Sequence, residues 1–84
     1  MDRITVTVKL FSIYQEAYGV PEVQWDLPPH SPVQAVLDRA LAEHPRLEPW
    51  RSQTRLGLNL RFVEASAPLS QGDEVVLIPP VSGG

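Results

Sequence analysis

The stretch from Ser31 to Pro45 constrains this chain most, because it spells one main amphipathic helix around which the rest must be arranged. Val33, Val36, Leu37, Ala40 and Leu41 recur at i, i+3, i+4, i+7 and i+8, which aligns them as a single apolar stripe. Asp38, Arg39 and Glu43 fall off it. Ser31 is placed to cap a free N–H of the first turn, and Pro32 at the first helical position has no N–H to lose. Pro45 disfavours helical backbone just before it, so the helix closes near Glu43 or His44. A stripe on one side of one helix calls for a sheet to bury it.

The remaining segments supply that sheet. Ile4, Val6, Val8 and Leu10 alternate with polar residues, the pattern of a strand with one face to the core. Phe11 to Gly19 breaks the alternation and reads as a short helical turn, stopped by Gly19. Val23, Trp25 and Leu27 alternate again, and Pro28-Pro29 ends that strand. Residues 46–54, with Pro49 and Trp50, read as a loop. Leu56 and Leu58 form a short strand, Asn59 tolerates the left-handed backbone of a tight turn, and Phe62-Val63 returns. Gln71-Gly72-Asp73 is a turn. Val75-Val76-Leu77-Ile78 is an unbroken apolar run, the signature of a central strand buried on both faces. The order is strand, strand, helix, strand, strand, strand. It predicts an α+β two-layer domain with a mostly antiparallel sheet, the first and last strands side by side at its centre.

Composition narrows the functions. A chain of 84 residues, 43% hydrophobic and 20% charged, makes one globular domain. It has no cysteine, which removes disulfides, thiolate metal sites and cysteine nucleophiles. His30 and His44 sit at opposite ends of the helix, ~20 Å apart, too far to share a metal, so no metal site is expected. A net charge of −3 argues against nucleic acid, which asks for a basic patch, and favours a basic protein surface. No run approaches the ~20 apolar residues of a membrane helix, and Met1 to Thr5 opens no signal peptide. The expected address is the cytoplasm, away from membranes.

The chemistry gathers at the end. After Ile78 the sequence reads Pro79-Pro80-Val81-Ser82-Gly83-Gly84. Prolines cannot extend a hydrogen-bond ladder, and their fixed φ favours an extended arm. The expected organisation is a folded unit over residues 1–78 and a flexible tail over 79–84, reaching ~20 Å. Gly83 and Gly84 carry no Cβ, so this backbone can thread a channel too narrow for other residues. The α-carboxylate of Gly84 is then an acyl group on a leash. Adenylation would give it a leaving group, and a sulfur or nitrogen nucleophile could take the acyl carbon. The chain has no Gly-rich phosphate loop of its own, so another protein must bring ATP.

Gly72 to Gly84, ending in Pro-Pro-Val-Ser-Gly-Gly, closely resembles the C-terminus of the molybdopterin synthase small subunit family. Leu10-Phe11-Ser12 is similar to that family's first-strand exit, and Leu58-Asn59 to its hairpin. The resemblance implies a ubiquitin-like β-grasp fold and a sulfur carrier. An adenylyltransferase of the ubiquitin-activating type would adenylate Gly84 with ATP, and a sulfur donor enzyme would convert it to a thiocarboxylate. Pro80, Val81, Ser82 and Gly83 would insert with it into a large catalytic subunit. There its sulfur passes to cyclic pyranopterin monophosphate, building the molybdopterin dithiolene. The chain itself would be the non-catalytic, sulfur-donating subunit and bind no cofactor directly. Two departures stand out: Gln15-Glu16 replaces the family's Arg-Glu pair, and Ile78 replaces an aromatic residue before the two prolines.

The same resemblance offers Phe62 and Ile78 as a docking patch for the partner, against the plainer reading of both as core. Trp25 is expected to pack in the sheet and Trp50 to cap the core under its loop. His30 and His44 read as helix-end or exposed residues, Asp73-Glu74 as turn chemistry, and Arg39, Arg46, Arg51 and Arg55 as a solvated face. Two other functions share the tail: a sulfur carrier of another pathway (tRNA thiolation, thiamin, tungsten cofactor) and a ubiquitin-like protein modifier. A third reading is an interaction module with an incidental tail.

Overall fold

A computed structural model of the chain describes residues 2–80; the sequence-derived site residues Val81, Ser82, Gly83 and Gly84 lie outside them. The elements run β1 (Ile4–Leu10), α1 (Ile13–Tyr18), β2 (Glu22–Leu27), α2 (Gln34–Glu43), a 3₁₀ helix (Pro45–Gln53), β3 (Arg55–Leu58), β4 (Arg61–Phe62) and β5 (Glu74–Ile78). The five strands form one mixed sheet ordered β2-β1-β5-β3-β4. β1 and β5 run parallel at its centre, and every other pairing is antiparallel. This is the α+β arrangement that the element order predicted and the β-grasp fold that the resemblance implied. Among the described residues no helix is long and apolar enough to cross a membrane.

The core lies between one face of the sheet and the helices. Val6, Val8 and Leu10 of β1 and Val75 and Leu77 of β5 meet Val36, Leu37, Ala40 and Leu41 of α2. Burying each such side chain contributes about 1.5–3 kcal/mol, and these residues are essentially solvent-free. Tyr14 of α1 is also fully buried, with its hydroxyl hydrogen-bonded to Thr54 Oγ1 at 2.6 Å. Burial raises the Tyr14 pKa, and the Thr54 bond offsets part of that rise. Gly19 ends α1 at φ +76°, a left-handed position that glycine occupies without penalty.

The start of α2 departs from the sequence expectation. Ser31 is no N-cap; its hydroxyl donates to the Pro28 carbonyl at 2.7 Å, and the helix proper begins at Gln34. The free N–H groups of Val33 and Gln34 donate instead to the carbonyls of Ala67 and Ala65. The crossing 65–69 segment satisfies them because it is pinned alongside, with Pro32 bridged to Pro68 and Leu69 N–H bonded to the Ser31 carbonyl. Tertiary contact has taken over the task of a local cap. The helix does end at Glu43, with His44 following.

Residues 46–54 are more ordered than a loop. Pro45–Gln53 is a 3₁₀ helix that buries Leu47, whereas Trp50 stays exposed and does not cap the core. Pro45 and Pro49 have no N–H to place in a ladder, and the helix tolerates them in its short turns.

β5 corrects the sequence reading most sharply. It is central, as expected, but buried on one face only: Val75 and Leu77 are solvent-free, while Glu74, Val76 and Ile78 are half-buried on the other side. One helical layer covers one face. The apolar residues of the second face are left available.

Candidate docking face

The sequence-derived docking residues converge on that uncovered face. Strand register places Gly57 opposite both Phe62 and Val76, and Val76 opposite Lys9, which in turn faces Glu22. One row thus crosses the whole sheet: Glu22, Lys9, Val76, Gly57, Phe62. Ile78 stands next along β5, opposite Arg55. Phe62 is 62% exposed, which sets aside the core reading for it, and Ile78 is half-buried beside it. Both line one pocket with Gly57, Leu60, Arg61 and Val76. A wider groove of about 600 Å³ continues toward β1, with Phe11, Lys9 and Glu74 among its walls.

β5 delivers the chain to the edge of this face. Leu77 pairs with Leu10 at the end of β1, and Ile78 with Arg55 at the start of β3. Pro79 is buried and Pro80 half-buried. Of the sequence-derived insertion residues, Pro80 alone is therefore placed, just past the strand end; Val81, Ser82, Gly83 and Gly84 fall outside the described residues.

Sequence reasoning missed three contributors. Phe11 is exposed beside the groove; its place just after an alternating strand was a usable signal. Val76 was assigned to the core, and the single helix in the sequence already implied that one sheet face stays bare. Leu60 is 90% exposed and lies at the apex of the β3–β4 hairpin, with φ +72° after Asn59 at +50°. A two-residue hairpin turn with both φ positive ordinarily takes Asn-Gly; leucine there is uncommon. Asn59 holds the turn. Its Nδ2 donates to Asp73 Oδ1 at 2.9 Å, and its Oδ1 accepts the Glu74 N–H at 2.9 Å. Asp73 also accepts the Ser70 N–H, so Asp73 performs the turn chemistry expected of it.

Charge is unevenly spread along the face. Lys9 Nζ lies 2.6 Å from Glu22 Oε1 and 4.0 Å from Glu74 Oε2, and the Glu22 hydrogen bond raises the Lys9 pKa. At the other end the Arg55 guanidinium stacks 4.3 Å from the centre of the Phe62 ring, a cation–π contact. The arginines do not share one solvated face. Arg39 covers buried Trp25 at 4.2 Å and bonds Glu43, Arg51 bonds Asp38 and Glu48, and Arg46 is exposed. The Arg51 bond holds the Glu48 carboxyl below its usual range. His44 packs edge-on against Tyr18 at the end of α2, and His30 is exposed.

A five-stranded sheet with parallel central strands, one helical layer and one apolar face uncovered defines the ubiquitin-like β-grasp class of protein. Residues 8–84 match the profile of the ThiS family, and the chain belongs to that family. It is 37% identical over 81 residues to the molybdopterin synthase sulfur carrier subunit of Arabidopsis thaliana, covering 96% of this chain and 84% of that one. The crystal structure of small archaeal modifier protein 1 from Haloferax volcanii superposes with a TM-score of 0.78 at 26% identity, covering 93% and 99% of the two chains. Subunit 1 in a complex of subunits 1 and 2 of the Helicobacter pylori molybdopterin-converting factor gives 0.60 at 26% identity, covering 96% and 100%.

Proposed function

We propose that the chain is the sulfur carrier subunit of molybdopterin synthase and works in the cytoplasm, where its ATP-using activator must also act. The observation that carries this reading is the bare apolar face at the exit of β5, with Phe62 and Ile78 in one pocket, in a chain whose relatives are sulfur carrier subunits. The face docks on a large catalytic subunit, as the paired Helicobacter pylori subunits support. Pro80, Val81, Ser82 and Gly83 follow into that subunit, and Gly84 reaches its active site.

The Gly84 carboxylate first attacks the α-phosphorus of ATP on a ubiquitin-activating-type adenylyltransferase, and pyrophosphate leaves. A donor enzyme then delivers sulfur at the sulfide level, which attacks the acyl carbon; AMP leaves with its electron pair, and a thiocarboxylate remains. In the synthase that sulfur bonds to a carbon of cyclic pyranopterin monophosphate, and water then cleaves the acyl–sulfur bond, which leaves the sulfur on the substrate and returns Gly84 as a carboxylate. The chain contributes a docking surface and a narrow backbone; the large subunit contributes the acid–base groups.

The test is to prepare the Gly84 thiocarboxylate by semisynthesis and mix it with a molybdopterin synthase large subunit and cyclic pyranopterin monophosphate. Mass spectrometry should find the dithiolene product from the thiocarboxylate and none from the carboxylate. No product from a folded chain, with the large subunit active on its own carrier, rejects the reading. The fold shared with an archaeal modifier protein favours a second one, in which Gly84 forms isopeptide bonds to lysines. It requires covalent ladders of this chain on other proteins in extracts.

A further inference from the structure

We propose that the pocket over Gly57 seats one apolar side chain of the large catalytic subunit, flanked by a carboxylate that meets Arg55. The inference rests on the sulfur-carrier reading and adds to it a specific seat and a fixed polarity. The pocket, about 210 Å³, exists because residue 57 has no side chain. A Cβ there would already lie 3.4 Å from Val76 Cβ and 3.9 Å from Ile78 Cδ1. Anything longer would occupy the space between Phe62, Ile78 and Leu60.

Charge indicates which way round the partner sits. At the β1–β2 end Lys9 has two carboxylates around it, Glu22 and Glu74. At the β3–β4 end Arg55, whose guanidinium stacks over the Phe62 ring, has no carboxylate within 4.0 Å among the described residues. The face is therefore negative at one end and positive at the other, although the chain as a whole carries −3. A partner must be arranged in reverse, which fixes register and suppresses inverted docking. Leu60 adds an independent sign. A bulky residue held at positive φ costs of order 1 kcal/mol, and at 90% exposure it contributes almost no burial to this fold. Its side chain is a wall shared by the pocket and the wider groove, where it gains burial only against a partner.

The experiment measures affinity by calorimetry between the full chain and a purified molybdopterin synthase large subunit, for the unmodified chain, Gly57→Leu and Arg55→Glu, with a melting curve for each. Filling the pocket with Gly57→Leu is expected to weaken binding at least about ten-fold, a loss of about 1.4 kcal/mol. Arg55→Glu is expected to weaken it by a similar factor at low salt and by less as salt screens the charges. A folded Gly57→Leu that binds like the unmodified chain overturns the pocket and leaves the sulfur-carrier reading intact. If Gly57→Leu fails to fold, the exposed Arg55→Glu decides, and unchanged affinity across the salt series overturns the proposal. Failure of the unmodified chain to bind any large subunit removes the sulfur-carrier reading and the proposed occupant together. Self-association that Gly57→Leu abolishes would reassign the seat to a second copy and overturn the proposal.

Discussion

The two faces of this sheet are built from the same strands and serve opposite ends. On the helix side, Val6, Val8, Val75 and Leu77 are sealed against α2. On the other side, Val76, Ile78 and Phe62 are equally apolar, yet they meet no second helical layer. Neighbouring residues of β5 thus divide between a covered face and an open one, because successive side chains of a strand point to opposite faces. Apolar character alone does not say which task a residue has; coverage does.

Variants can break that comparison, and the largest effect belongs to neither face. Removing Gly83 and Gly84 should abolish sulfur transfer completely while leaving the melting temperature unchanged, since the terminal carboxylate, now on Ser82, stops two residues short and carries a side chain, and the core is untouched. A lowered melting temperature would make the tail part of the fold. Next, Leu77→Ala should destabilise by about 2–5 kcal/mol, and Leu41→Ala by a similar amount, because each opens a cavity in the sealed layer; chemical denaturation would measure both.

Phe62→Ala sharpens the contrast from the open side. Its stability change should stay within about 1 kcal/mol, as the ring is mostly exposed, while affinity for the large subunit falls at least about ten-fold. An equal loss of stability would return Phe62 to the core. Leu60→Gly should go the other way, stabilising the hairpin by about 0.5 kcal/mol as the positive-φ strain is relieved, while partner affinity declines. Stability loss in that variant would show that Leu60 packs within the fold.

The smallest effect lies on the helix side and depends on pH. The Tyr18 hydroxyl donates to Glu43 and, with Arg39, holds the Glu43 carboxyl below its ordinary range, even against some desolvation. Burial and the same bond push Tyr18 well above the usual tyrosine value. A depressed carboxyl contributes stability that is present above the unfolded glutamate value of about 4.3 and is lost as pH falls through the folded value. The Glu43 side chain is 41% exposed, so solvent screening keeps the contribution below about 1 kcal/mol. Tyr18→Phe should flatten the acid limb of the stability curve, read as melting temperature against pH; an unchanged limb would assign the acid sensitivity to other carboxylates.

The element order was legible because its signals are local. Alternation in Ile4 to Leu10 and the stripe from Val33 to Leu41 repeat at the periods of strand and helix, whatever surrounds them. The pairing of first and last strands followed from their apolar runs, and the Pro-Pro-Val-Ser-Gly-Gly ending pointed to the family. Ser31 looked like a cap because its side chain suits one. Only the 65–69 segment, arriving from far along the chain, supplied the carbonyls that made the cap unnecessary. Residues 46–54 looked like a loop because Pro49 within them and Pro45 just before them break an α pattern, yet Leu47 found a place in the core and drew a 3₁₀ helix around it. The fate of Val76 and Ile78 was decided the same way. A sequence can state that a residue is apolar and which neighbours share its side of a strand. Whether that side is covered depends on what the rest of the chain can place over it, and a single helical layer has only one face to cover.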